Sequence, residues 1–443
     1  MDVVLPLVLA LTFGVGICVL ATSGLTPAQM KHIRPIVLGA FGLRVVMSTI
    51  FAMLVFTRVF HDDASGTEYY SIRIASAWLG DGPPLPHWAI NDRNYGLTYF
   101  FAGVLYVTGR YALNITIFNS LIGAMNTMLI YRIGLKLVDE KVARRAALFV
   151  AFFPSMIIWS SIALKDPLMS FFICVTLLSA IHLRERFSLL AVAGCLLPML
   201  AVYPIRFYLV YFMASSLVGT IALGRKGQLV AGLSKQVVLL GGLAVIVVAL
   251  GFYSNAATDL EVFDLEKVSS YRRGMASTAN SAFAGDVDVS TPGRAILFLP
   301  VGLSTLIWGP FPWQMTSLRP LLSAPEMLVW WYLAPSLVRG FWFAVRRQFR
   351  LFAPIIVFAL ITLVGYSLTL GNLGAAYRMR AQVFTFLFLF AALGQYLKKV
   401  RARGLDDELL LLEHDRTRPA RRHMISLPTA RPVLASPPPL SPT

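Results

Sequence analysis

Charged residues and cysteines are both scarce in this sequence, and each shortage excludes a class of protein. Only 14% of the 443 residues are charged, whereas about 25% is usual for a soluble domain. Hydrophobic residues make up 57% of the chain, and its mean hydropathy is +0.69. The apolar residues also form blocks long enough to cross a bilayer. A soluble globular protein is therefore excluded, and the membrane helix is the expected structural unit.

The few potential metal and redox ligands are dispersed. Each of the three cysteines, Cys18, Cys174 and Cys195, lies inside an apolar run, which argues against disulfides, metal clusters and redox chemistry. The six histidines show no ligand spacing. Asp62 and Asp63 are adjacent and lack the D-x-D spacing that often holds a divalent ion. We expect no resident metal or other cofactor, with a divalent cation as the alternative that stays open.

Acidic residues are outnumbered, because 39 Lys and Arg face 22 Asp and Glu, a net charge of +17. In a soluble protein this excess would suggest a nucleic acid partner. In a membrane protein it has a simpler explanation, since cytoplasmic loops collect Lys and Arg. We therefore expect a membrane environment and no nucleic acid.

Eleven apolar blocks are long enough, or nearly long enough, to cross a bilayer. They are residues 3–22, 36–58, 112–136, 145–163, 167–183, 187–203, 207–223, 236–254, 326–345, 352–370 and 381–397. The first block lacks the basic segment that opens a secretory signal, so we expect it to be retained as a helix.

Basic clusters follow alternate blocks and define the orientation. The clusters lie within residues 31–34, 136–145, 184–186, 225–235, 346–350 and 398–403. If the blocks alternate, all of these clusters reach one face, which the positive-inside rule makes cytoplasmic. This alternation leaves the apolar stretches 95–109 and 296–313 unused. We expect both to be interfacial or re-entrant segments on the outer face.

The expected fold is therefore all-α and polytopic, with about eleven transmembrane helices and outer juxtamembrane helices. Residues 1–35 form an extra N-terminal helix and a cytoplasmic turn, and 36–398 form the main transmembrane domain. That domain has a first outer loop, 59–94, and a late outer loop, 255–295. Residues 399–443 change to a basic and proline-rich composition that predicts a disordered cytoplasmic tail.

The first outer loop begins with His61-Asp62-Asp63, where the second block leaves the membrane. Ser65 and Glu68 then form a capping-box pattern, which predicts the start of an amphipathic surface helix. Asp62 and Asp63 have two interpretations. They either stabilise a helix N-terminus through its dipole or act as catalytic acids or bases.

Further charges lie at the same outer boundary. Lys165-Asp166 interrupts the apolar run between the fourth and fifth blocks, and Arg206, Arg378 and Arg380 lie in later outer turns. Arginine on this face needs an anionic partner. Lipid headgroups or loop carboxylates would serve, and so would a phosphate held by a guanidinium group.

These features together resemble the GT-C superfamily of glycosyltransferases, which use polyprenyl-phosphate sugars. The resemblance rests on Asp62-Asp63 in a first outer loop, Asn94-Tyr95-Gly96-Leu97 opening a surface helix, Gly109-Arg110 before a span, Pro154, and Lys165-Asp166. The protein O-mannosyltransferase and lipid A aminoarabinose transferase branch is the most similar. The likeness covers residues 36–185 and continues more loosely to Arg380. The extra block 3–22 departs from the family pattern.

The resemblance implies a role for each residue of this boundary. Asp62 or Asp63 would be the catalytic base, and Asp166 a second acidic position that shapes the site. Lys165, Arg206, Arg378 and Arg380 would bind the donor phosphate. A second tier of candidates comprises His61, Glu68 and Tyr377.

The implied activity is inverting transfer of a sugar from a polyprenyl phosphate to an acceptor hydroxyl. The acceptor would be a lipid, a glycan or a protein, and the location the outer face of a bacterial-type cytoplasmic membrane. One alternative is an O-antigen polymerase or ligase, in which Arg272, Arg273 and Arg294 would matter most. A less favoured one is a transporter of lipid-linked glycans, because the apolar blocks are expected to keep their charges at their ends.

Overall fold

A computed structural model describes residues 4–53, 62–82, 96–222, 241–242, 263–277, 281–315, 321 and 323–402. Within these ranges the chain is helical apart from turns, one short 3-10 helix and a single antiparallel bridge between Ala282 and Asn372. The all-α class is therefore confirmed. Contacts divide the chain into two units, Met1–Leu397 and Lys398–Thr443. Of the second unit, only the end of the last helix is described.

The first helices are α1 (Val4–Ala21), α2 (Pro27–Met53), α3 (Asp62–Trp78), α4 (Gly96–Thr108), α5 (Ala112–Leu137), α6 (Glu140–Phe152), α7 (Pro154–Ser160), α8 (Asp166–Glu185) and α9 (Leu189–Ala222). The later ones are α10 (Leu265–Ser277), α11 (Pro292–Trp308), α12 (Ala324–Thr369), α13 (Leu373–Met379) and α14 (Ala381–Ala402).

Among the described residues, six helices are long and apolar enough to cross a membrane, and α6 with α7 forms a further pair bent by 56°. A polytopic membrane protein is thus confirmed at this level. Every predicted block except 236–254 overlaps a described helix, and 145–163 extends over two of them, α6 and α7. That block lies outside the described residues apart from 241–242, and the count of eleven spans stays a prediction.

Helix α9 reverses direction at Arg206, whose backbone leaves the helical region at φ −152° and ψ 78°. Its first half runs along α8, because the thiol of Cys195 donates to the Thr176 carbonyl and Arg206 reaches Asp166. Its second half returns along α12, where the Ser216 hydroxyl donates to the Pro354 carbonyl. The blocks 187–203 and 207–223 are therefore the two arms of a hairpin.

Helix α12 is a second hairpin, bent at Gln348. Its first arm contacts α14 through Trp330 and Phe384, whose ring centroids are 4.3 Å apart. Its second arm contacts the same helix through Tyr366, which donates to Gln382 at 2.8 Å. Because both arms pack on α14, the 46 residues of α12 provide two antiparallel helices rather than one long rod.

Glycine permits the closest helix crossing in this bundle. A Cβ on Gly340 would overlap the carbonyl oxygen of Phe390, and a Cβ on Gly394 would overlap that of Ser336. Small residues allow helix backbones in a membrane to approach this closely. The first arm of α12 and helix α14 are therefore fixed against each other at this level.

Basic turns gather at one end of the bundle. His32 Nδ1 lies 2.9 Å from Glu140 Oε1, and Lys136 Nζ lies 2.6 Å from Glu185 Oε2. Arg184 also donates to a carbonyl at the bend of α12. The alternation deduced from the sequence predicts this gathering of the basic turns 31–34, 136–145, 184–186 and 346–350.

The stretches 95–109 and 296–313 form α4 and α11, which stay near the opposite end of the bundle. Gly96 packs against Pro204 beside the α9 bend, and the Asn114 amide closes the other end of α4 by donating to Gly109. In α11, the Phe298 ring lies under Arg272, and the following Gly309 accepts from Arg380. Both helices are shorter than those long enough to cross a membrane, at 13 and 17 residues, and their interfacial position stays a prediction.

Candidate functional site

Asp166 is the centre of the polar residues at the end of the bundle opposite the basic turns. It is the first residue of α8, and only 1% of its surface is exposed. Arg206 Nη2 lies 3.1 Å from Asp166 Oδ1, and the Gln382 amide donates to the same oxygen at 3.2 Å. The α9 bend therefore places a buried guanidinium against a buried carboxylate.

Arg378 approaches the other oxygen of the same carboxylate. Its Nε lies 3.2 Å from Asp166 Oδ2, a distance typical of an ion pair, although the angle is not that of a hydrogen bond. Arg378 is the more open of the two arginines at Asp166, with a fifth of its side chain exposed and only 4% of Arg206 exposed.

Arg380 lies in a separate, closed environment. It is 2% exposed and donates to the Gly309 carbonyl and to Met327 Sδ. Its guanidinium also lies 3.6 Å from Glu326 and 4.1 Å from the centre of the Tyr377 ring. These partners leave Arg380 little room to bind a phosphate, so Arg378 is the better placed of the two.

Tyr377 connects this environment to α7. Its ring meets Trp159 edge to face at 6.1 Å. Burial, reinforced by the neighbouring Glu326 carboxylate, holds the pKa of Tyr377 well above its usual value. The phenol therefore stays protonated and can act as a hydrogen-bond donor at neutral pH.

We call six charged residues around Asp166 and Tyr377 the outer cluster: Lys165, Asp166, Arg206, Glu326, Arg378 and Arg380. Within it, Arg206 and Arg378 share the Asp166 carboxylate, and Arg380 faces Glu326. In addition, Nη1 of Arg206 is buried and makes no hydrogen bond of good geometry to the described residues, although the Tyr366 hydroxyl interacts with this guanidinium. A group of guanidinium donors at a partly buried site is suited to an anion such as a phosphate.

Amide side chains of α5 fix the segment that leads to Asp166. The Asn119 amide donates to the carbonyls of Ile162 and Leu164, at 2.7 and 2.8 Å. The Asn126 amide donates to the Pro167 carbonyl at 2.9 Å. The turn that presents Lys165 and Asp166 is thereby tied to a spanning helix, and the acid is also in the first turn of α8, where the helix dipole favours it.

The acids of the first loop lie on helix α3. The structure starts this helix at Asp62, so the predicted start at the Ser65 capping box is three residues too late. Asp62 and Asp63 form its first turn, which is consistent with the dipole interpretation and leaves the catalytic one open. The structure does not describe their side chains, and His61 lies outside the described residues.

Glu68 lies on the same helix, one or two turns further along. Burial raises the pKa of Glu68 to about 7. No described contact joins it to the outer cluster. Elsewhere on α3, Ala64, Ser71, Ile74 and Ala75 are buried, whereas Trp78 is exposed and its ring centroid lies 6.3 Å from that of Tyr99 on α4. This agrees with the predicted amphipathic character of the helix.

Three polar residues were missed by sequence reasoning. Glu326 opens a predicted span and Gln382 opens another, and an acid or amide at such a boundary is usually a cap. Arg44 lies within the predicted span 36–58 and is buried. The expectation that apolar blocks keep their charges at their ends is therefore wrong for this span, and a single arginine inside an apolar run was the available signal.

The arginines of the late outer loop have other partners. Arg272 is fully buried and donates to a ring of carbonyls that includes Ser367 and Leu370, where α12 ends. Burial lowers the pKa of Arg272 to about 10, so it stays charged at neutral pH. Arg294 pairs with Asp288. In the described residues, therefore, two of the arginines required by the ligase alternative have structural partners.

Metal coordination has no clear location in the described part of the chain, where no three His, Cys, Asp or Glu side chains come close enough to hold an ion. The chain matches no protein-family model, and no curated protein is significantly similar to it.

Proposed function

We propose that this protein is an inverting glycosyltransferase that moves a sugar from a polyprenyl-phosphate donor to an acceptor hydroxyl. The reaction takes place at the outer face of a bacterial-type cytoplasmic membrane, with the C-terminus cytoplasmic. The observation that carries the proposal is that two arginines, Arg206 and Arg378, meet on one buried carboxylate at the end of the bundle opposite the basic turns.

The positive charge of these arginines has a direct use in the reaction. When the acceptor oxygen attacks the anomeric carbon, the bond to the phosphate breaks and negative charge develops on the departing phosphate. Fixed cations stabilise that charge without needing to reorganise. Arg378 and Lys165 are the first choices as phosphate ligands, followed by Arg206 and Arg380.

The location of the cluster also suits this donor. A polyprenyl chain stays in the bilayer, so its phosphate can only be bound near the membrane boundary. The cluster lies where α8 begins, where α9 bends and where α14 begins, at the end of the bundle opposite the basic turns. A site at this depth would reach a lipid-linked phosphate directly.

The remaining requirement is a base that takes the proton of the acceptor hydroxyl. Asp62 and Asp63 are proposed for it, because their loop leaves the membrane at this same outer end. The resemblance to the GT-C superfamily supports this assignment.

The test is transfer by the purified protein from lipid-linked sugars extracted from its source membranes, followed by mass spectrometry of the lipids. Asp62→Asn or Asp63→Asn is expected to lower turnover at least 100-fold, since general base catalysis contributes about 10²–10⁴-fold. Asp81→Asn, on the same loop but in an exposed pair with Arg110, is the matched control and should stay active. Full activity in both single variants would refute the base assignment.

A further inference from the structure

Arg44 is a buried arginine in the interior of a membrane-spanning helix, and its hydrogen-bond partners among the described residues are neutral. It is 1% exposed on α2. Its guanidinium donates to the carbonyls of Val150, Ala151 and Ala40, at 2.9, 2.8 and 3.0 Å, and to the Ser160 hydroxyl at 2.8 Å. A charge in this position is costly, so a specific requirement must retain it.

The break between α6 and α7 explains why Arg44 is needed, because two backbone carbonyls there lack donors. In an uninterrupted helix the N–H of residue 154 would bond the Val150 carbonyl, but Pro154 has no N–H. The N–H of Ser155 would bond the Ala151 carbonyl, but it donates instead to Glu326 Oε2 at 2.6 Å. Both carbonyls are thus released, and Arg44 supplies the donors that they lack.

The two sides of this break therefore carry opposite charges. The guanidinium of Arg44 caps the C-terminal end of α6, where a helix dipole favours a cation. The carboxylate of Glu326 caps the first turn of α7, where the dipole favours an anion. Glu326 also lies 3.6 Å from Arg380, which connects the break to the outer cluster.

Further hydrogen bonds join α2 to the segment between the break and Asp166. The Ser161 hydroxyl donates to the backbone carbonyl of Arg44, and the Ser48 hydroxyl donates to the carbonyl of Ser161. Arg44, Ser160 and Asp166 line one small cavity of about 20 Å³. Helix α7 also presents Trp159 to Tyr377.

From this arrangement we infer that Arg44 and Glu326 are positioning residues of the phosphate site: together they hold the broken span so that Lys165 and Asp166 face Arg206 and Arg378. The inference rests on the proposed function for the identity of the ligand. It deepens that proposal because neither residue needs to touch the donor.

The experiment separates positioning from simple stabilisation. Arg44→Met leaves both carbonyls without a donor, and adding Pro154→Ala restores an N–H for Val150. The double variant should therefore recover much of the thermal stability lost in the single one, but with a straighter span. The readout is the dissociation constant for a polyprenyl phosphate in detergent, measured well below each melting temperature.

A milder variant keeps the charge. A Cβ on Gly123 would lie 2.6 Å from Arg44 Nε and 2.8 Å from the Ser160 side chain, so Gly123→Ala displaces the guanidinium. Gly42→Ala, on the same helix as Arg44 with no atom within 4 Å of the added carbon, is its control.

We expect the double variant and Gly123→Ala to bind polyprenyl phosphate at least 10-fold more weakly, with Gly42→Ala unchanged. Wild-type affinity in the double variant would overturn the inference, because stability alone would then explain Arg44. If the wild type binds no polyprenyl phosphate, the proposed function fails, and hydrogen exchange decides the inference separately. Faster exchange confined to residues 155–166 in Gly123→Ala supports it, and unchanged exchange there overturns it.

Discussion

Asp166 holds two arginines at a buried position, so its charge supports the structure whatever ligand the site binds. Removing one member of a buried ion pair costs about 3–5 kcal/mol, because the remaining charge is left uncompensated. Arg206, at 4% exposure, would be that charge.

Asp166→Asn is therefore expected to lower the free energy of unfolding by about 3–5 kcal/mol. The measurement is reversible unfolding in mixed micelles. Asp81→Asn removes the carboxylate of an exposed pair with Arg110 and should cost at most about 1 kcal/mol. Equal effects of the two substitutions would contradict the buried pairing.

Glu68 gives a prediction for pH. Its pKa is raised by burial from 4.5 to about 7, so the folded protein holds a proton that the unfolded chain releases in this range. The contribution of Glu68 to stability therefore falls as pH rises from about 4.5 to about 7, and it is constant above that.

Glu68→Gln should remove this dependence. The melting temperature of the variant, relative to the wild type, is expected to increase between pH 4.5 and 7 and to level off at higher pH. A difference that does not change with pH would show that Glu68 titrates normally.

The sequence predicted some of the charged residues that meet around Asp166 and missed others. Asp166, Arg206 and Arg378 could be grouped because each is a charge at an outer boundary. Glu326 and Arg44 could not, since their roles depend on the Ser155 N–H and the Val150 carbonyl, which only become available once the helix breaks at Pro154. The role of catalytic base for Asp62 or Asp63 stays a prediction.

Hairpins are the main element of this fold, and their two bends lie at opposite ends of the bundle. The α9 bend places Arg206 on Asp166, whereas the α12 bend at Gln348 lies among the basic residues at the other end. Apolar block length predicted both hairpins, because each arm has its own block. The α6–α7 break was missed, since 145–163 has the length of a single span.

The crossing of α12 with α14 provides a test at this scale. Gly340→Ala would place a methyl group on the Phe390 carbonyl, so the helices must separate. We expect it to lower the free energy of unfolding by about 1–3 kcal/mol, as overpacking usually does. Gly103→Ala on α4, where nothing lies within 4 Å, should be neutral or stabilising. A neutral Gly340→Ala would show that this crossing is loose.

The whole molecule separates its charges along its length. Basic turns joined by pairs such as Lys136–Glu185 collect at one end, and the outer cluster collects at the other. The positive-inside rule predicts that the first end is cytoplasmic. The three cysteines are buried, so single cysteines can be added to test this orientation.

Arg186→Cys and Ser277→Cys place a thiol at exposed positions of the two ends. In spheroplasts, a membrane-impermeant maleimide is expected to label Ser277→Cys, and to label Arg186→Cys only after permeabilisation. Labelling of Arg186→Cys from outside would reverse the orientation and move the outer cluster to the cytoplasm.

We claim that the outer cluster binds a sugar-bearing polyprenyl phosphate, and native mass spectrometry of the purified protein is the decisive test. The wild type should retain a lipid whose fragments give a polyprenyl phosphate and a sugar. Arg378→Gln, which changes the most open arginine at Asp166, should lose most of it. A wild type that carries only bulk phospholipid, after purification from membranes supplied with lipid-linked sugars, would contradict the claim.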